Sequence, residues 1–191
     1  MSKDKKELDA VVDYIFEVGQ LRLEARHGWL RLGRNPESVA EHSHRAACLG
    51  YLLAKLESFS NPELVATMVL FHDAHEVRIG DTDTIQKKYV KIDEWGAAAS
   101  QVKELGGIGE SIFRMWQEVD ERSSEAGIIA KDAELLEMVF MARELAVDGT
   151  DTSPWVESAR QRLKTVSAKE LLESVLLADP HQWWKKVCAQ R

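Results

Sequence analysis

Apolar side chains along this chain recur at intervals of three and four, the period of a helix. Leu8, Val11, Val12, Ile15 and Phe16 share one helical face and polar residues fill the other, which predicts an amphipathic helix docked by that face. The alternation expected of strands is absent. Each proline follows a capping-type residue, in the pairs Asn35-Pro36, Asn61-Pro62, Ser153-Pro154 and Asp179-Pro180. Proline suits the first helical position, where its missing amide hydrogen would have no partner, so four helix starts are marked. The pattern predicts helices at about 5–25, 36–57, 62–78, 108–121, 124–147, 154–165, 167–178 and 180–189, with further helix between 84 and 104. No repeat, Pro-rich linker or low-complexity tract divides them, so the expected fold is all-α, one domain over residues 1–191. Gly106-Gly107-Ile108-Gly109 reads as a helix-to-helix loop: no strand precedes it, and no Gly-Lys-Ser/Thr follows it to cradle a phosphate.

Length and charge narrow the function. The chain has 191 residues, 25 Lys and Arg against 32 Asp and Glu, and a formal net charge of −7. A chain of this size hides roughly 70% of the surface its unfolded form exposes, so a metal ion would serve function rather than hold the fold together. The acidic balance argues against nucleic-acid polymers and anionic membranes as partners, since both are bound through clustered Lys and Arg. Cys48 and Cys188 have neither metal spacing nor a paired framework and read as reduced thiols. No apolar run approaches the roughly 18 residues of a membrane span, and a cytoplasmic protein is expected.

Ionisable residues on faces that should be apolar carry the chemistry. Leu64 to Phe71 is apolar nearly all round, as in a central helix, and runs directly into His72, Asp73, Ala74, His75 and Glu76. Asp132 has Ile128 and Ile129 one turn before it and Leu135 and Leu136 one turn after. An isolated carboxylate there costs several kcal/mol, so it must be protonated, salt-bridged or bound to a cation. His42 follows Val39 and precedes Ala46 and Leu49 in the same way. Taken singly, His42 reads as a core histidine, His72-Asp73 as a helix-end cluster, and Asp132 as a partner of Lys131 or Arg143. Taken together, two imidazoles and two carboxylates suffice to chelate one divalent ion, with manganese, cobalt, zinc and iron all suited to that donor set.

The order His42, His72-Asp73, Asp132 resembles the H…HD…D signature of the HD superfamily of metal-dependent phosphohydrolases. The flanking stretches Asn35-Pro36-Glu37-Ser38-Val39-Ala40-Glu41-His42-Ser43 and His72-Asp73-Ala74-His75-Glu76-Val77-Arg78-Ile79-Gly80-Asp81 are similar to its 5'-deoxynucleotidase-type branch. The resemblance spans about residues 20 to 147. It implies an all-α HD fold, one transition-metal ion held by His42, His72, Asp73 and Asp132, removal of phosphate from deoxyribonucleoside 5'-monophosphates, and a homodimer. It also places the catalytic acidic pair on Glu76 and Asp81, and a nucleotide-approaching element on Arg26-His27-Gly28-Trp29. The segment from Trp29 to His42 is about one residue shorter than the branch pattern, and Thr82-Asp83-Thr84 stands where prolines are expected.

Phosphoester hydrolysis needs a nucleophile, charge neutralisation and help for the leaving oxygen. Glu76 is expected to orient or deprotonate water, and Asp81 to hold the water or manage the leaving oxygen's proton. Arg26, Arg31, Arg34 and Arg45 are candidate phosphate contacts, because guanidinium matches phosphate oxygens in pairs. Trp29 is a candidate base-stacking group, His44 and His75 are outer or surface groups, and Trp183-Trp184 covers either the core or a dimer contact. Two other readings stay open: an HD-type phosphodiesterase or nucleoside triphosphatase, and a non-catalytic nucleotide-binding regulatory module.

Overall fold

The computed structural model describes residues 5–35 and 37–189, so the helix start expected at Pro36 lies outside the described residues. The first half of the chain forms α1 (Lys5–Val18), a 3-10 segment (Gly19–Leu23), α2 (His27–Leu30), α3 (Val39–Leu56), α4 (Pro62–Phe71) and α5 (Glu76–Ile79). The second half forms α6 (Gln86–Tyr89), α7 (Glu94–Val102), α8 (Gly107–Glu121), α9 (Glu125–Val147), α10 (Ser153–Arg162), α11 (Val166–Leu177) and α12 (Gln182–Cys188). No strand forms among the described residues beyond one isolated bridge, Ala25 to Ser38. The expected all-α fold is therefore observed.

At the centre α3 and α4 pack on each other and on α9. Leu53, Val65, Met68, Val69, Ile129 and Leu136 meet there, each almost fully buried, and each large side chain removed from water contributes about 1.5–3 kcal/mol. Helix α4 buries Val65, Met68 and Val69 in this core, while Leu70 on its other side stays half exposed. Gly50 lets α3 approach it closely, since a Cβ there would lie 3.0 Å from Val69 Cγ2. Helices α10 and α11 cover the far side of α9 through Ala159, Leu163 and Leu172.

A capping box starts α3: the Ser38 side chain accepts from the Glu41 amide, and the Glu41 carboxylate accepts from the Ser38 amide. Backbone bonds from Arg26 N to Glu37 O (3.0 Å) and from Val39 N to Glu24 O (2.8 Å) tie the segment before α2 to that cap. These links set Arg26 beside the first turn of α3.

Four helical expectations change. The predicted 5–25 helix ends at Val18, and α1 docks by the Ala10, Val11, Tyr14 and Val18 face against Val102, Leu105 and Ile112. Of the stripe expected to dock, only Val11 does so; Leu8, Val12, Ile15 and Phe16 are exposed, Phe16 by 72%. Both stripes have helical spacing, and the choice between them lies with the neighbouring elements. The 84–104 stretch divides into α6, α7 and a 3-10 turn (Lys103–Leu105), and α8 begins at Gly107 after Gly106 turns the chain at φ +58°. Trp183 is 69% exposed on α12 and so does not cover the core.

The fourth change positions the site. The predicted 62–78 helix breaks at Phe71, and residues 72–75 form a tighter turn in which Ala74 N bonds Phe71 O (3.2 Å) and Glu76 N bonds Asp73 O (3.0 Å). Within that turn His72 Nε2 lies 2.9 Å from Asp73 Oδ2.

Candidate active site

His42 comes from the first turn of α3, and His72 and Asp73 from the turn after α4. All three are buried. His42 Nε2 lies 3.6 Å from Asp73 Oδ2, and His72 Nε2 lies 2.9 Å from the same oxygen. None of these three atoms has a hydrogen-bond partner of acceptable geometry. Buried polar atoms are normally satisfied, so three unsatisfied donor atoms facing one another need an explanation. A cation supplies one, because all three are of the types that ligate divalent transition metals.

Both imidazoles are set for that role from behind. His72 Nδ1 donates to the Val69 carbonyl (2.5 Å), and His42 Nδ1 to the Glu137 carboxylate. A carbonyl and an ionised carboxylate only accept, so both rings carry a proton on Nδ1 and turn Nε2 inward. Burial, with Arg26 nearby, holds His42 below its usual pKa and hence neutral.

The cluster opens into a cavity of about 600 Å³, ample for a nucleotide. Arg26 and Arg31 line it, together with Trp29, Glu76 and Asp81. Asp81 is fixed: it accepts from Arg26 Nη1 at 3.0 Å and from the His27 amide, while its own amide donates to Glu24 Oε1 at 3.3 Å. The turn into it runs through Gly80 at φ +76°, where a side chain would be strained. Arg26 also stands 3.6 Å from Asp73 Oδ2. Glu76 Oε2 is buried without a partner. Burial raises its pKa well above the usual carboxylate value, and the charges of Asp73 and Asp81 add to the shift against the opposing pull of Arg26. Arg31 pairs with Asp83. Trp29 is buried and stacks on Trp155, centroids 5.4 Å apart, and both line the cavity.

Three sequence-derived candidates lie elsewhere. Asp132, expected among the ligands, faces the loop between α10 and α11. It accepts from Lys164 N (2.9 Å and 3.1 Å to its two oxygens), Thr165 N (2.7 Å) and Thr165 Oγ1 (2.9 Å), with Arg122 Nη1 at 3.9 Å. Its burial among apolar residues was legible, but backbone amides satisfy it where a cation was expected. Arg34 binds Thr150 Oγ1 and the Asp148 carbonyl on the surface. Arg45 is taken up by Glu137, Glu144 and Glu37 behind His42. Of the outer histidines, His44 is exposed, while His75 is buried edge-on against Trp116 and lines the cavity.

The acid that α9 presents to the cavity is Glu134, two residues on from Asp132 and hence about 200° round the helix. Lys131 Nζ lies 2.5 Å from Glu134 Oε2. Burial raises the pKa of Glu134, but the charges of Lys131 and His72 outweigh it and keep the group ionised. The missed signal was Lys131, Glu134 and Glu137 at intervals of three on a helix that is otherwise largely apolar.

The HD domain family matches residues 18–175 of the chain. A 5'-deoxynucleotidase HDDC2 from Dictyostelium discoideum is 30% identical over 138 residues, 66% of this chain and 72% of its own length. The Homo sapiens protein of the same name is 27% identical over 143 residues, 71% and 68% of the two chains. A conserved hypothetical protein from Pyrococcus furiosus superposes with a TM-score of 0.70 at 27% identity, covering 86% of this chain and 98% of that one. A predicted metal-dependent phosphohydrolase from Magnetospirillum magnetotacticum, 23% identical, shares the fold with a TM-score of 0.72 over 90% and 94% of the two chains. With His42 facing His72-Asp73 beside a cavity that both of the latter line, and with most of its length matched, the chain belongs to the HD domain family.

Proposed function

We propose that this protein is a metal-dependent hydrolase that removes the 5'-phosphate from deoxyribonucleoside 5'-monophosphates. The observation that carries the reading is the convergence of His42 Nε2, His72 Nε2 and Asp73 Oδ2, unsatisfied and buried, on a nucleotide-sized cavity. The substrate class is that named for the relatives that are 27–30% identical. We assign Glu134 as the acidic ligand from α9, in place of Asp132. A divalent ion held there, whether manganese, cobalt, zinc or iron, supplies charge for the phosphoryl oxygens and lowers the pKa of water from 15.7 to about 7.

The remaining chemistry belongs to this chain's own side chains. Glu76, with Oε2 buried and unpaired, takes the proton of the attacking water at Oε2 as the new oxygen–phosphorus bond forms. It returns that proton to the 5'-oxygen as the phosphorus–O5' bond breaks, leaving a deoxyribonucleoside and inorganic phosphate. Arg26, held by Asp81, and Arg31 bring positive charge to the phosphate from the cavity wall. Trp29 on Trp155 forms the apolar wall for sugar or base.

A homodimer in the cytoplasm completes the reading, and the exposed Leu8, Val12, Ile15 and Phe16 stripe is an apolar surface suited to self-association. Phosphate release from ribo- and deoxyribonucleoside mono-, di- and triphosphates, measured with each of the four metals, tests the proposal. Release of orthophosphate from deoxyribonucleoside monophosphates is expected. Pyrophosphate or triphosphate as product would point to a triphosphatase, and turnover in a verified metal-free sample would overturn the mechanism.

A further inference from the structure

His72 is oriented by a backbone carbonyl, which no substitution of a side chain removes. His42 is oriented by Glu137, a carboxylate that the nucleotide cavity does not include. Glu137 lies on α9 with no exposed surface. Its Oε2 takes the His42 Nδ1 proton, and its Oε1 accepts from Arg45 Nε at 2.7 Å and lies 2.5 Å from Arg45 Nη2. Arg45 is itself anchored by Glu144, with Nη1 at 2.9 Å and 3.0 Å from the two carboxylate oxygens. A buried carboxylate without a cation tends to protonate and would then compete for donors instead of accepting. The Arg45 guanidinium, against Oε1 through both Nε and Nη2, supplies that cation.

We propose that Glu137, clamped by Arg45, is the positioning residue of the metal centre: it fixes the Nδ1–H tautomer of His42 and turns Nε2 toward His72 Nε2 and Asp73 Oδ2. The inference rests on the metal-binding reading given above. Glu37, His42 and Glu137 could also be read as a separate cation site. The geometry argues against that, because the Arg45 guanidinium already occupies the second oxygen of Glu137 and reaches Glu37 Oε2 at 3.4 Å. A cation there would face a guanidinium at close range.

The test uses purified full-length protein, with metal affinity measured by competition with a chromophoric chelator and ligand geometry read from the visible spectrum of the cobalt-loaded form. Glu137→Gln keeps the shape and an accepting oxygen but loses the charge. Its affinity for zinc and cobalt is expected to fall about 10–100-fold, the usual cost of losing an outer partner of a metal-bound histidine, with a changed cobalt spectrum. Arg45→Lys, which retains a cation for Glu137, is expected to stay nearer the wild type than Arg45→Met. A folded Glu137→Gln protein with wild-type affinity and an unchanged spectrum would overturn the inference. Where that variant does not fold, Arg45→Met decides, and unchanged affinity there overturns it equally. A lower melting temperature with no change in affinity or spectrum would make Glu137 a packing residue only. Wild-type protein that binds neither metal would instead refute the metal reading itself, a separate result.

Discussion

Replacing Asp132 by Asn separates two acids that lie two residues apart on α9. The Asp132 carboxylate accepts from Lys164 N, Thr165 N and Thr165 Oγ1, holding the chain where it enters α11. Asn can set its carbonyl oxygen in the place of Oδ2, which accepts from all three donors, but its NH₂ group then faces the Lys164 amide where Oδ1 now accepts at 3.1 Å. The three bonds lose their charge assistance and a donor–donor contact replaces the fourth, so a total near 3–4 kcal/mol is expected. For a domain of this size each kcal/mol moves the melting temperature by about 2–4 °C, so the midpoint should fall by roughly 6–16 °C. Metal content should stay at the wild-type level. Glu134→Gln is expected to do the reverse, weakening metal binding at least tenfold with a smaller change in the melting midpoint. Thermal denaturation followed by circular dichroism, beside elemental analysis of the same samples, measures both quantities. Loss of metal from Asp132→Asn at an unchanged midpoint would refute the assignment and restore Asp132 as a ligand.

Glu76→Gln should retain metal while single-turnover hydrolysis slows by about 10²–10⁴-fold, the usual worth of a positioned acid–base group; a variant that loses its metal would make Glu76 a ligand. Gly127→Ala should destabilise the α8–α9 contact by about 1–3 kcal/mol, because its Cβ would lie 2.1 Å from the Glu118 carbonyl oxygen, and an unchanged denaturant midpoint would contradict that packing. Hydrogen bonding to Arg78 lowers the Glu17 pKa against the effect of burial, so its stabilising effect is present above the unfolded pKa near 4.3 and is lost as the pH falls through the folded value. The stability gap between wild type and Arg78→Met should therefore narrow from pH 6 to pH 3, and a constant gap would show that the pair contributes nothing.

The helical period, the capping residues and the apolar run from Leu64 to Phe71 were enough to determine an all-α fold with α4 at its centre, because burial and capping act over one or two turns. The pairing of His42 with His72-Asp73 was legible for a related reason: ionisable groups among apolar neighbours need a partner wherever they sit. Which partner they find is a long-range matter. Asp132 satisfies the same local rule, yet its donors come from residues 164 and 165, more than thirty positions away. Arg45 has the spacing of a pocket residue and is drawn behind His42 by acids on α9. The face by which α1 docks differs from the expected stripe over residues 8 to 16, because residues of α7 and α8 are its neighbours. Periodicity registers that a side chain leaves water, whereas only the packing of distant helices decides whether it then meets a backbone amide, a guanidinium or the donor atoms of a metal site.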